Sequence, residues 1–295
     1  MNKLYFIPSQ FDVEENTNIS TDFEPAISID HTNRLREGIK KLQEVLGITD
    51  MKPMPAGTSI KLYGVTVTKG GKQPAEGDIV PLSKVERKLI DTIELELDPK
   101  RRLTTGQAIQ STGKERAINE ADEALIAEVR KDIKDAFYTT LAAGTGTAPA
   151  GDNFQKACAN VWGALNVFYE DMDVTPVFFV NPLDVATYLG DAAISTQTAF
   201  GMSYIENFLG MGNAIISSKV EQGTVIGTAV QNLNGAFVPV GGDVATAFGL
   251  TYDASGLVGL NHSLAADRFS INSLLVSGVV FYAENAGGVF KATIG

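Results

Sequence analysis

The chain has 295 residues, of which 44% are hydrophobic and 20% charged, enough apolar material for a packed core and too little charge for intrinsic disorder. A formal net charge of −11 speaks against a free-standing nucleic-acid binder, which carries a basic face. One cysteine, Cys158, excludes an internal disulfide framework and a Cys-based zinc site, and two histidines, His31 and His262, exclude a histidine-rich metal site and weaken the case for a histidine base.

Leu4 to Ile7 is apolar, but Pro8 and then Asp12, Glu14 and Glu15 end the run, short of a secretory core. Leu274 to Ala283 is far below the ~20 residues of a spanning helix, so a soluble chain made in a reducing compartment is expected, with no membrane. Charge is unevenly spread: residues 1–140 hold 20 basic and 23 acidic side chains, whereas residues 141–295 hold only 4 and 12. The first part reads as extended or bound by polar contacts, the second as compact.

Residues 1–33 form a polar arm with no sustained period, for which a partner subunit is the simplest anchor. Residues 34–55 read as a short helix and linker; Leu35, Ile39, Leu42 and Leu46 share one face over 33–46. Residues 56–98 read as a long β-hairpin. Its first arm, Ser59 to Thr68, shifts parity across Gly64, predicting a bulge there. The tip is Lys69-Gly70-Gly71-Lys72-Gln73-Pro74, and the return arm contains the alternation Ile93-Glu94-Leu95-Glu96-Leu97. Such a hairpin buries little against its own chain. It is either a solvated ribbon or an arm laid on a neighbour.

Residues 114–143 give the strongest helical signal. Ile118, Leu125, Val129, Ile133, Phe137 and Leu141 make one stripe, supported by Ala121 and Ala136, and Lys131 is spaced to pair with Glu128 and Asp135. Residues 144–151 read as a flexible small-residue connector and a boundary. A helix from Phe154 to Tyr169 follows, then the buried strand Val174 to Val180, then a helix capped by Asn181 with Pro182 in its first turn. Ala214 to Val220 and Thr224 to Val230 read as strands, Asp243 to Phe248 as a short helix, and Phe269 to Tyr282 and Val289 to Ile294 as further β-structure.

Common catalytic signatures fail. Gly144-x-Gly146 lacks the third glycine of a dinucleotide loop, and Gly71-Lys72 and Gly113-Lys114 lack the upstream glycine of a phosphate loop. Glu170, Asp171 and Asp173 are either a solvated turn or a weak cation site. His262 and His31 read as surface or hydrogen-bonded residues in polar loops, and Cys158, beside Val161, Trp162 and Leu165, as a buried structural thiol. The densest basic run, Lys100-Arg101-Arg102, suits an intersubunit salt bridge, a solvated turn or a phosphate. No cofactor and no catalytic activity are expected.

The order of parts, with the stretch Val177-Phe178-Phe179-Val180-Asn181-Pro182-Leu183-Asp184, resembles the major capsid proteins of tailed bacteriophages, whose fold is the Hong Kong 97 type. The resemblance implies an α+β chain with an N-terminal arm at 1–33, an extended loop at 56–98, a peripheral domain at 99–150 plus 251–295 with spine helix 114–143, and an axial domain at 151–250. It also implies self-assembly into hexamers and pentamers of an icosahedral virion shell, made in the host bacterial cytoplasm. Double-stranded DNA would be enclosed without sequence-specific binding, and a separate scaffolding protein and a portal would be partners. Lys61, Lys69, Lys72, Glu94, Glu96, Arg101 and Arg102 are the candidate inter-subunit contacts. An encapsulin-like compartment shell and an α/β enzyme with a regulatory arm are the alternatives.

Overall fold

The computed structural model describes residues 49–68, 70–71, 82–170, 172–191, 197–199, 202–252 and 256–295. The polar arm and the helix expected at 33–46 lie outside these residues, as do Lys69, Lys72, His31 and Asp171.

The described chain opens with β1 (Asp50–Pro53), a strand inside the stretch expected as helix and linker. β2 (Ser59–Thr68) and β3 (Lys84–Glu94) then pair antiparallel as the expected hairpin. The register shifts between Leu62 and Tyr63, close to the predicted site, but the extra residue is Ile90 on the return strand. A Cβ on Gly64 would stand 2.9 Å from Ile90 Cδ1, so the glycine makes room for the bulged side chain. β3 ends at Glu94, yet the alternation continues beyond it, with Leu95 buried between exposed Glu94 and Glu96.

β4 (Asp98–Thr105) replaces the basic turn considered for Lys100 to Arg102. It leads into α1 (Gly106–Thr112), capped by Thr105, whose Oγ1 accepts the Ala108 N–H at 3.3 Å. α2 (Lys114–Ala142) is the predicted long helix, 29 residues or about 43 Å of rod. Its six-residue stripe is buried throughout, widened by Ala117, Asp122, Ile126 and Tyr138, whereas Ala136 is exposed. Lys131 is not the partner of Glu128 or Asp135: Glu128 faces Lys100 and Arg102 of β4, and Asp135 faces Lys219.

The small-residue connector is bonded rather than flexible. It carries β5 (Gly146–Thr147), and the N–H groups of Thr145, Gly146, Ala148 and Gly151 donate to Ala286, Val289, Lys291 and Thr293. α3 (Phe154–Phe168), β6 (Pro176–Val180) and α4 (Pro182–Asp191) follow as predicted. Asn181 caps α4, its Oδ1 accepting the Leu183 N–H at 2.9 Å and its Nδ2 donating to the Val220 carbonyl at 2.7 Å. The short strands β7 (Gln197–Ala199) and β8 (Met202–Ile205) precede β9 (Asn213–Ile216), which is shorter than predicted, and β10 (Thr224–Ala229). β11 (Leu233–Phe237) precedes α5 (Asp243–Phe248), which matches its expected bounds. β12 (Thr251–Tyr252) and β13 (Val258–Ala265) come next. The β-run predicted from Phe269 divides into β14 (Ser270–Ser277) and β15 (Val279–Ala283), and β16 (Phe290–Thr293) follows.

Three larger sheets organise these strands: β5-β16-β10-β6-β9-β8-β7, β12-β13-β14-β4 and β1-β11-β15. β6 explains how two cores share one sheet. Val177 and Phe179 face the core built on α2, whereas Phe178 and Val180 face the core built on α3. A strand apolar at every position therefore serves two layers. In the α2 core, Phe137 stands edge-on to Tyr138, Phe179 and Phe281, with ring centroids 5.4–5.6 Å apart. Burial pushes the Tyr138 hydroxyl up to about 12. Cys158 is fully buried in the α3 core, which pushes its thiol up to about 12, as suits a structural side chain. Its neighbour Trp162 is partly exposed rather than packed with it.

Candidate interaction surface

The hairpin of β2 and β3 is built unlike the rest of the chain. Nearly every described residue of β3 is exposed. Val85, Leu89, Ile90 and Tyr63 are all open, with Val85 60% and Ile90 66% exposed. Register pairs Tyr63 with Leu89, and the Arg87 guanidinium lies over the Tyr63 ring at 5.1 Å. Positions 85, 87 and 89 share a face by strand alternation, so Val85, Arg87, Leu89 and Tyr63 form one apolar strip with a single cation in it. Lys84 and Glu86 pair with each other nearer the tip.

The root is tied down firmly. Leu95 is 0% exposed, packed with Ala236 and Val238 and flanked by Met54, Ile60 and Leu97. The Leu95 N–H donates to Thr58 O at 3.0 Å, and the Gly57 N–H donates to Leu95 O at 2.9 Å. Gly278, between β14 and β15, passes so close that a Cβ there would lie 2.6 Å from the Glu96 carbonyl oxygen. A rigid base thus carries a ribbon on which Tyr63, Val85, Leu89 and Ile90 stand exposed.

Beside this root lies a cleft of about 160 Å³ between α2 and the sheets. Glu96, Asp98 and Asp132 line it together with Val129, Ile133, Ala136 and Val279. Lys100 is mostly buried there among three carboxylates: it bonds Asp132 and stands 3.8 Å from both Asp98 and Glu128. Farther along the same helix, the buried Asp122, 1% exposed, is hydrogen-bonded to His262, with its carboxylate oxygens 2.9 and 3.1 Å from Nε2. His262 is therefore a strand residue that binds β13 to α2, not part of a polar loop.

No family model matches the sequence, and neither does any curated protein. Solved structures do. The chain is similar to the capsid of an empty GTA particle, with TM-score 0.60 at 10% identity over 86% of this chain and 90% of that one. It is similar to the SrpI encapsulin of Synechococcus elongatus PCC 7942, with TM-score 0.57 at 11% identity over 84% and 86%. It is similar to the mature capsid of bacteriophage PhiM1, with TM-score 0.52 at 11% identity over 85% and 86%. This chain has the Hong Kong 97-type fold.

Within the Hong Kong 97-type fold, the candidate contact residues separate into three groups. Lys61 and Glu94 are exposed on the hairpin strands, and Glu96 is exposed at the root and lines the cleft. Arg101 is exposed on β4, but Arg102 is held within the chain by Glu128 at 3.1 Å. Lys69 and Lys72 lie outside the described residues, with the rest of the tip beyond Gly70 and Gly71. Sequence reading missed the cleft and the strip of Tyr63, Val85, Arg87 and Leu89. The alternation of Val85, Arg87 and Leu89 was visible, but only pairing with β2 places Tyr63 beside it. Among the described residues no group of three His, Cys, Asp or Glu is placed to hold a metal ion, and no helix is long and apolar enough to cross a membrane.

Proposed function

We propose that this chain is a structural shell subunit, the major capsid protein of a tailed-bacteriophage-type icosahedral virion. The observation that carries this reading is the hairpin: a firmly rooted ribbon with large apolar side chains exposed along it, standing on a fold similar to capsid structures. An isolated monomer gains nothing from such a ribbon and risks aggregation. A shell subunit gains the overlapping contacts that obligate assemblies need.

In this reading, residues 99–150 and 251–295 form the peripheral domain around α2. Residues 151–250 form the axial domain, with β16 contributed to its sheet. Hexamers and pentamers close the shell, a separate scaffolding protein and a portal guide assembly, and double-stranded DNA is enclosed without sequence-specific contacts. An acidic subunit leaves packaged DNA free to move. The role is structural rather than catalytic. A second reading, a compartment shell that holds a cargo protein, is favoured by the likeness to an encapsulin.

Negative-stain microscopy of the purified chain, alongside its mass by light scattering, tests the proposal. Closed shells or capsomer-sized rings are expected, and nuclease-protected DNA in particles from infected cells separates virion from compartment. A chain that stays a compact monomer or dimer, even when produced with its neighbouring genes, overturns it.

A further inference from the structure

Helix α3 buries one face and leaves the other uncovered. Phe154, Ala157, Cys158, Val161 and Leu165 point into its core. On the outer side Trp162 and Val167 stand exposed, Val167 by 76%, and Ala159 and Gly163 lie between them. A Cβ on Gly163 would meet nothing within 4 Å. Helical spacing thus sets two large apolar side chains along a shallow groove floored by small residues. Met172, 67% exposed, extends it past the helix end.

The groove ends in acid. Glu170 and Asp173 follow the C-terminus of α3, whose last turn holds no basic residue, and neither acid pairs with a cation among the described residues. Carboxylates at this end of a helix oppose its negative pole, so a cation from elsewhere is favoured there. Residues 151–250 have none to spare: they hold 2 basic side chains against 9 acidic ones, and Lys156 is engaged by Asp152 and Lys219 by Asp135.

The described chain begins close to this acidic end. Asp50 lies across from Asn234, and Asn234 from Tyr282. The Glu284 N–H donates to Asn232 O at 3.0 Å, and a Cβ on Gly288 would strike both Asn232 and the Tyr169 hydroxyl, so these side chains are neighbours. Tyr169 is the C-cap of α3, and burial, then the charge of Glu284, holds its hydroxyl above the usual tyrosine range. Just before residue 49 comes the stretch 33–46, which the sequence reads as a helix. It carries Leu35, Ile39, Leu42 and Leu46 on one face, and Arg34, Arg36, Lys40 and Lys41 against only Glu37 and Glu44. An apolar stripe with a basic excess is what the outer face of α3 lacks. The reach suffices, since Leu46 to Asp50 spans up to about 14 Å of extended chain. The lengths match, at about 21 Å of helix for 33–46 and about 22 Å for α3.

We propose that residues 33–46 lie as a helix in the Trp162–Gly163–Val167 groove of their own chain, with their basic side chains toward the acidic end at Glu170 and Asp173. Entry from that end makes the segment run parallel to α3, so the arm of residues 1–32 departs near Asn153, the N-cap of α3. The apolar stripe supplies the area, and the charges fix the direction. The inference goes beyond the shell reading and does not depend on it.

The test uses the full-length chain. Trp162 is its only tryptophan, so emission reports the groove directly. Ile39→Asp/Leu42→Asp should red-shift that emission and raise its quenching by acrylamide at least about twofold. Glu170→Lys/Asp173→Lys should move both readings the same way, and adding Lys40→Glu/Lys41→Glu should return them most of the way to the parent. Independently, Leu42→Cys/Gly163→Cys treated with a short bismaleimide should give a link within one chain, read by mass spectrometry on a mixture of isotope-labelled and unlabelled protein. The native Cys158 stays silent, being buried with its thiol pushed up to about 12. Unchanged quenching in Ile39→Asp/Leu42→Asp overturns the docking. So does the absence of the link, which decides the matter if the charged variants fail to fold. A link that joins labelled to unlabelled chains also overturns it and assigns the groove to a second copy. Particle formation by the parent chain is scored separately, so the shell reading stands or falls on its own.

Discussion

The β2–β3 hairpin and helix α2 are both long, charged and amphipathic, and the chain treats them in opposite ways. The helix turns its stripe of Leu125, Val129, Ile133, Phe137 and Leu141 into its own core, whereas the hairpin leaves Val85, Leu89 and Ile90 in the open. The difference teaches where each element finds its partner. The apolar face of α2 is completed inside one chain, and in the proposed shell that of the hairpin is completed by another. Stability should therefore reside in the first and assembly in the second.

The sharpest separation comes from replacing residues 63–90 by an Asn-Gly turn between Leu62 and Asp91. This keeps the rooted Leu95 and supplies a turn suited to a two-residue hairpin. Thermal unfolding of the monomer should shift by no more than a few degrees, and particles should be lost altogether. Particles from this variant would break the comparison. The reverse case is Phe137→Ala, which empties the centre of the aromatic cluster and should cost about 3–5 kcal/mol by chemical denaturation. The same variant should expose Cys158, so labelling of its thiol, slow in the native chain at pH 8, should accelerate in step with the lost stability. His262→Ala removes a bonded partner from the buried Asp122 and should cost about 1–3 kcal/mol without altering the hairpin. Smallest of all, Arg102→Ala breaks a half-exposed ion pair with Glu128 and should cost no more than about 1 kcal/mol, diminishing with salt.

The same contrast explains what the sequence disclosed. α2, α3, the β6–Asn181–α4 unit and α5 were legible because their signals are local: a 3.6-residue stripe, a capping Asn before Pro, a short apolar run. β4 was not, since Lys100, Arg101 and Arg102 alternate no hydrophobic side chains. They form a strand because β14 offers a ladder and α2 offers Glu128 and Asp132. β11 and β13 were missed for a related reason, as Asn234, Gly235, Asn261 and His262 break any apolar pattern while satisfying partners distant in sequence. The connector at 144–151 looked flexible because small residues suit loops. They equally suit the close approach of Val289 and its neighbours. The hairpin was legible as an outline, but its exposed strip was not, because parity on one strand says nothing about which residue across the ladder completes the face.

The placement of β16 has a consequence for how the polypeptide is made. The seven-stranded sheet holds β16 between β5 and β10, so it is incomplete until residues 290–293 have emerged from the ribosome. The hairpin, by contrast, is finished at Glu94. At translation rates of 5–20 residues per second, roughly 10–40 s separate the two events. Throughout that interval a sticky ribbon is attached to a nascent chain whose core has not yet closed, and neighbouring ribosomes on one message would carry the same ribbon. Slow elongation over the stretch encoding α3 to β15 should then raise the fraction of insoluble product, and a helper that masks the ribbon early should lower it.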